Sequence, residues 1–490
     1  MKIEQFFEHH GVSGNPFAEE DAQTDPVFKE HCIATTHHPS WGKVYGDPSE
    51  PATSVVFGEK GAGKTAIRLQ IARDLREHNR SHPDARVFVI EYDDFNPFLD
   101  RFRDKLGLRR RKQHALEAWK LWDHMDAILS LGVTQLADQA LGGAGAPQEE
   151  VTLNKLDRHQ SRDLLLLAAC YDQSLREPFV TRWNRLRRKL RYRGWRAKRF
   201  AALGWLVTLT VVGTLVGLQK WEWLETPWPY AFVVLGWIPY FIRWIKWHFV
   251  ARQIVRQARV VKHAVSPLRR ALLKMSADDI VNQPLPNKER TDDRYELLSK
   301  FQSLLKSLGY SGIVVLVDRV DEPHMINGSP EQMRQLLWPM LDNKFLKHPG
   351  IGFKLLLPIE LSYFIDREQT EFYQRARLDK QNLIPSLDWT GEALYDVANA
   401  RLQACASNGQ KPKLRDLFDA GIADRRLLDA LRTLRVPRHI FKFMYRVLMA
   451  HANAHTEDDP VWQIAPSTFE STLALYQRDQ DAFERGLGKG

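Results

Sequence analysis

Three features of the sequence predict an α/β fold with a parallel sheet, interrupted by a helical insertion that carries a two-helix transmembrane hairpin. A short apolar run, Thr53–Phe57, leads through a glycine loop into a segment where Ile67, Ile71 and Leu75 recur at helical spacing. A strongly β-branched run, Ser311–Val317, reads as a buried strand that ends in acids. Between the two lie uncharged apolar stretches bordered by arginine and lysine.

The chain has 490 residues, 44% hydrophobic and 27% charged, enough for a substantial core and far from the composition of a disordered or collagenous protein. It also differs from a polytopic transporter. Its three cysteines, Cys32, Cys170 and Cys405, form no CxxC pair, which points to a reducing compartment and away from a disulfide framework or a zinc ribbon. The net charge is +10, and the segment from Arg182 to Arg199 holds ten basic residues and no acid. That segment alone accounts for the surplus, so nucleic acid is not an expected partner.

Residues 1–52 are polar, rich in His and Pro, and read as an irregular lead-in. His31, Cys32, His37 and His38 lack a second ligand pair at zinc-finger spacing, so a polar surface loop is the better reading there. The first part of the α/β core spans 53–140, with Val87–Ile90 as its second strand and a helical pattern over 115–140. Gly142–Pro147 breaks that pattern and opens an insertion over 141–290, helical from about Leu156. The second part of the core spans 291–400, with further strands at Phe353–Leu357 and Asn382–Pro385. Helices fill 401–490.

Within the insertion, 200–218 is a run of 19 uncharged residues, close to the roughly 20 that span a hydrocarbon core. The run 226–242 is shorter, at 17 residues, and contains Pro227, Pro229 and Pro239. Nine of the fifteen tryptophans fall between Trp183 and Trp247, as an interfacial belt would place them. Arg243, Lys246, Arg252, Arg256, Arg259 and Lys262 follow the second run, while Glu222 and Glu225 sit in the connection. The charge asymmetry orients the hairpin as a two-pass anchor in the inner (cytoplasmic) membrane, with both termini cytoplasmic and the 200–242 hairpin in contact with lipid.

Gly58-Glu59-Lys60-Gly61-Ala62-Gly63-Lys64-Thr65 matches the phosphate-loop pattern G-x-x-x-x-G-K-[ST], and it lies between a strand and a helix as that mechanism requires. The glycines free backbone N–H groups to face phosphates, Lys64 would reach the β and γ phosphates, and the Thr65 hydroxyl would ligate Mg²⁺. Asp318 closes the Ile313–Val317 strand and is the second expected Mg²⁺ ligand, in the Walker B role. Asp321 and Glu322 follow, and either would orient the attacking water. No Asn-Lys-x-Asp base reader is present, which favours ATP over GTP as the nucleotide.

Thr65 and Gly312 are 247 residues apart, with the apolar runs between them. In this the chain resembles KAP-type P-loop NTPases, which carry transmembrane helices between the two nucleotide motifs. The Asp318-x-x-Asp321-Glu322 arrangement resembles that of STAND ATPases. The resemblance implies an ASCE/AAA+-like P-loop NTPase core closed by a C-terminal helical lid. Val436–Met444 resembles the lid helix, in which Arg438 would touch a nucleotide phosphate as sensor 2, while Arg375 and Arg377 are either an arginine finger for a neighbouring subunit or ordinary surface charge. The implied function is a membrane-anchored ATPase that switches its oligomeric state or its hairpin, with a homo-oligomer, an effector or trigger protein, and bacterial phage defence as the family setting. A non-hydrolysing nucleotide-gated membrane scaffold and a multimeric pore are the alternatives.

Overall fold

The computed structural model describes residues 1–106, 115–142, 151–192, 194, 199–219, 221–341, 344–368, 372–373, 378, 382–407 and 410–484. Arg375 and Arg377 and most of the glycine-rich break at 142–147 lie outside them. Five strands, β1 (Ser54–Gly58), β2 (Arg86–Tyr92), β3 (Tyr310–Val317), β4 (Ile351–Pro358) and β5 (Asn382–Ile384), form one all-parallel sheet in the order β2-β3-β4-β1-β5. β1 is paired on both sides: Val55 stands opposite Leu355 of β4 and Leu383 of β5. Every residue of β1 and β4 is buried, as continuous apolar runs in a parallel sheet should be. The α/β class follows directly from these strands and the helices between them.

The chain divides into two compact units, one made of 1–82, 314–334 and 342–490, the other of 83–313 and 335–341. The boundary falls inside β3, and the second unit begins well before 141, taking in β2.

The first unit buries its apolar residues around four C-terminal helices, Gly391–Ala404, Asp424–Thr433, Pro437–Ala454 and Pro466–Glu484. Residues 1–52 are largely irregular, as composition predicts, but they are packed into the core rather than lying as a polar lead-in. Phe6, Phe7, Val12 and Phe17 are buried in that core beside Leu394, Phe443 and Met444. Asp25 is buried against Arg401, which also donates to the Pro16 carbonyl at 2.6 Å. Helices Ile3–His9 and Trp41–Tyr45 bracket the segment.

The second unit is mostly helical. The Arg158–Tyr171 helix opens with a reciprocal cap, Gln160 N–H donating to the Asp157 carboxylate at 2.7 Å and Asp157 N–H to the Gln160 side chain at 3.1 Å. The Leu121–Leu141 helix carries buried Asp123, His124 and Asp126. Asp126 accepts from Arg294 at 3.2 Å and from the Tyr171 hydroxyl at 2.7 Å, and Asp123 accepts from Arg259 at 3.0 Å. Each of these buried carboxylates is therefore paired and hydrogen-bonded, as burial of charge demands.

The two apolar runs form an antiparallel-type connection of helices Arg199–Gly217 and Trp228–Gln257 through a short Trp221–Glu225 turn. They meet at small residues: a Cβ on Gly204 would strike the Trp237 ring, and one on Gly236 would strike Val207. The Trp237 indole donates to Thr208 at 3.1 Å. Among the described residues only Arg199–Gly217 is long and apolar enough by itself to cross a membrane. All but the first two residues of the 226–242 run lie in a 30-residue helix, Trp228–Gln257, that absorbs Pro239 and continues past Arg243, Lys246 and Arg252, so its apolar part is shorter than a full span. Among the described residues, the large hydrophobic side chains left exposed fall between Leu203 and Phe249, apart from Leu175, Val281, Tyr363, Tyr445, Met449 and Leu475.

Candidate functional site

The first unit places the chemistry-bearing residues at the carboxyl ends of the parallel strands, where open α/β sheets bind ligands. Gly58 ends β1, Asp318 follows β3, and Glu360 follows β4 by two residues. The loop after Gly58 then turns into the Lys64–Ser81 helix. Gly61 and Gly63 both adopt φ +93°, a left-handed conformation that costs an L side chain energy and suits glycine. At Gly61 the requirement is also steric, since a Cβ there would lie 2.6 Å from Cβ of Arg438.

The Lys64 amine curls over the loop and donates to the carbonyls of Gly58 at 2.7 Å and Glu59 at 3.0 Å. Burial pushes the amine below its ordinary value, opposed by Asp321, Asp318 and Glu360. Glu59 also closes the loop by accepting from Ala62 N–H at 3.1 Å, while Lys60 points to solvent. One residue on, the Thr65 hydroxyl donates to the Asp318 carboxylate at 2.9 Å. Arg68, one helical turn further, stands with Nε 3.4 Å from the same carboxylate oxygen. Burial raises the Asp318 carboxyl, and Arg68 and the Thr65 hydroxyl pull it back toward the ionised form.

The other predicted residues surround this pair. Asp321 lies close enough to act on Lys64 electrostatically, and its carbonyl accepts from Gly328 N–H at 2.9 Å. Glu322 is more than half exposed and pairs with Arg319 at 3.5 Å; partial desolvation lifts its carboxyl, with Arg319 opposing. Arg319 itself sits at φ +59° and reaches Asp21 at 3.6 Å. Arg438 is the second residue of the Pro437–Ala454 helix, next to Gly61, and its guanidinium pairs with Glu20 at 3.8 Å. Gly58 through Thr65, Asp318, Asp321 and Arg438 are thus brought together, and Glu322 lies at the rim.

A cleft of about 700 Å³, counting the solvent at its mouth, adjoins the loop. Thr36, His38, Gln70, Trp389 and Arg438 contribute to its walls, and the Trp389 indole fixes its position by donating to the Ala62 carbonyl at 2.9 Å. Sequence reading missed this use of residues 1–52, because nothing local marks Glu20, Asp21, Thr36 or His38 as neighbours of a loop elsewhere in the chain. Arg68 carried a usable signal, its spacing one turn after Thr65 on the same helix face. Glu360 carried none.

Chemically, the loop offers backbone donors and a cation to a phosphate, and the Thr65 hydroxyl with the Asp318 carboxylate is a hard-oxygen pair of the kind that holds Mg²⁺ beside phosphate oxygens. Among the described residues no group of three His, Cys, Asp or Glu side chains gathers as a metal cluster, the His31–His38 region included. Comparison with protein-family models, curated proteins and solved structures finds no match to this chain.

Proposed function

We propose that this protein is a P-loop ATPase that binds and hydrolyses Mg-ATP and is anchored in a membrane by its apolar helices. The observation that carries the reading is the joint geometry of Lys64, folded over the glycine loop, and Thr65, bonded to Asp318 at the carboxyl end of the sheet. Lys64 leaves the Gly58 and Glu59 carbonyls to bind the β and γ phosphates. Thr65 and Asp318 would hold Mg²⁺, which neutralises developing phosphate charge when bound. Asp321 or Glu322 orients the attacking water, and Arg438 approaches the phosphates from the helix that abuts Gly61. The cleft lined by Thr36, His38, Gln70 and Trp389 receives the base. Nucleotide state then acts as a switch on oligomerisation or on the hairpin, since γ-phosphate contacts order loops that relax after hydrolysis. The resemblance to KAP and STAND proteins supports a setting in bacterial phage defence.

A second reading, a nucleotide-gated membrane scaffold without turnover, draws on the exposed position of Glu322 and its pairing with Arg319. Hydrolysis by the detergent-solubilised full chain, measured beside Lys64→Ala and Glu322→Gln with oligomeric state read from the same samples, separates the two. Turnover abolished in both variants, with Glu322→Gln held in an ATP-bound assembly, is the expected result. Nucleotide binding with no turnover in the wild type selects the scaffold, and no binding at all rejects both.

A further inference from the structure

Two neighbouring acids of the N-terminal segment reach cations on two different elements, the Pro437–Ala454 helix and the turn after Asp318. The Glu20 carboxylate lies 3.8 Å from Arg438 Nε and 3.3 Å from Lys442 Nζ, both on the Pro437–Ala454 helix. Asp21 pairs at 3.6 Å with Arg319, the residue that follows Asp318. The segment that carries them is anchored on both flanks, at Asp25 by the buried Arg401 ion pair and at Pro16 by the Arg401 bond to its carbonyl. Glu20 also lines the cleft beside Gly61 and Gly63. Two adjacent residues of one strand of chain thus pair with cations from two other parts of the unit, Arg319 after β3 and Arg438 and Lys442 on the C-terminal helix.

The chemistry of this arrangement is competitive. Arg438, in the reading above, is the cation that meets a nucleotide phosphate, and a carboxylate already paired with it is a weaker anion occupying the same partner. A triphosphate brought to the loop would meet the Glu20 charge as repulsion and the engaged arginine as a lost contact. Both effects lower affinity, and both vanish when the strap moves aside.

We propose that Glu20 and Asp21 form an acidic strap, held down by Asp21 on Arg319, in which Glu20 competes with nucleotide phosphates for Arg438, so that ligand binding requires the strap to release. The proposal rests on the ATPase reading of the site. Glu20 and Asp21 are partly exposed at the surface, so their neutral amides leave the core intact.

The test is equilibrium binding of a fluorescent ATP analogue with Mg²⁺ to the full chain in detergent, for wild type, Glu20→Gln, Asp21→Asn, the double variant and Lys64→Ala. Exposed ion pairs of this kind are worth enough that the double variant is expected to bind about three- to tenfold more tightly, with each single variant between. Hydrogen exchange supplies a second readout: amides of residues 17–24 exchange faster once the wild type is saturated with the analogue. Unchanged or weaker binding by the double variant, while Lys64→Ala still abolishes binding, overturns the strap and leaves the ATPase reading standing. Binding in no protein, or binding indifferent to Lys64→Ala, overturns both.

Discussion

Gly61 joins two constraints in one residue, a positive φ and a backbone pressed against Arg438. An alanine there must hold a left-handed conformation and push the Pro437–Ala454 helix away, so Gly61→Ala should lower stability by about 1–2 kcal/mol and also weaken nucleotide binding. Chemical denaturation and binding measured on the same protein check both parts; a loss of stability with unchanged binding would show that Arg438 does not need its place beside the loop. The glycines, Lys64, Thr65 and Asp318 were legible in the sequence because each acts through its own backbone or side-chain chemistry at a fixed spacing. Arg68, one turn after Thr65 on the same helix, could have been read too, whereas Glu360, Glu20 and Asp21 could not, since what makes them part of the site is proximity created by the sheet and by the return of the C-terminal helices. The charge of Glu20 in particular looks, in sequence, like any other acid of a polar segment.

At the scale of elements, the β-branched strands could be read almost to their ends, β3 being expected at 311–317 and found at Tyr310–Val317. Dense apolar runs leave a buried parallel strand little alternative. Residues 1–52 resisted the same reading because Phe6, Phe7, Val12 and Phe17 are spread along short, irregular pieces that bury only against helices hundreds of residues away. The Leu121–Leu141 helix is another case, since its apolar periodicity announces a helix but hides the polar groups inside the second unit. His124 is completely buried there, bonded to Tyr92 at 3.1 Å and to the Leu336 carbonyl at 2.7 Å, and burial pushes its imidazole down to about 4. The unfolded chain takes up a proton near pH 6.5 and the folded one does not, so this residue's contribution is intact above that value and is lost as pH falls toward 4. Between pH 7.5 and 5 the loss should be about 2 kcal/mol. Denaturation midpoints of wild type and His124→Gln across this range isolate it: the variant's pH slope should be shallower, and identical slopes would refute the assignment.

For the molecule as a whole, the concentration of exposed large hydrophobics between Leu203 and Phe249 predicts behaviour in a cell extract. The full chain should remain in the membrane pellet after an alkaline carbonate wash and dissolve only in detergent, whereas release by carbonate would limit the apolar helices to a peripheral or protein-covered role. The order of the chain has a further consequence, one of timing. Thr65 and Asp318 are 253 residues apart in sequence, and the apolar helices lie between them. At elongation rates of about 5–20 residues per second, the glycine loop leaves the ribosome roughly ten to fifty seconds before its carboxylate partner. Arg438 and Lys442, which face Glu20, are made later still. A nascent chain therefore exposes its apolar helices before it holds both halves of the site, and any response of the finished site to a ligand begins only after those helices have found their cover.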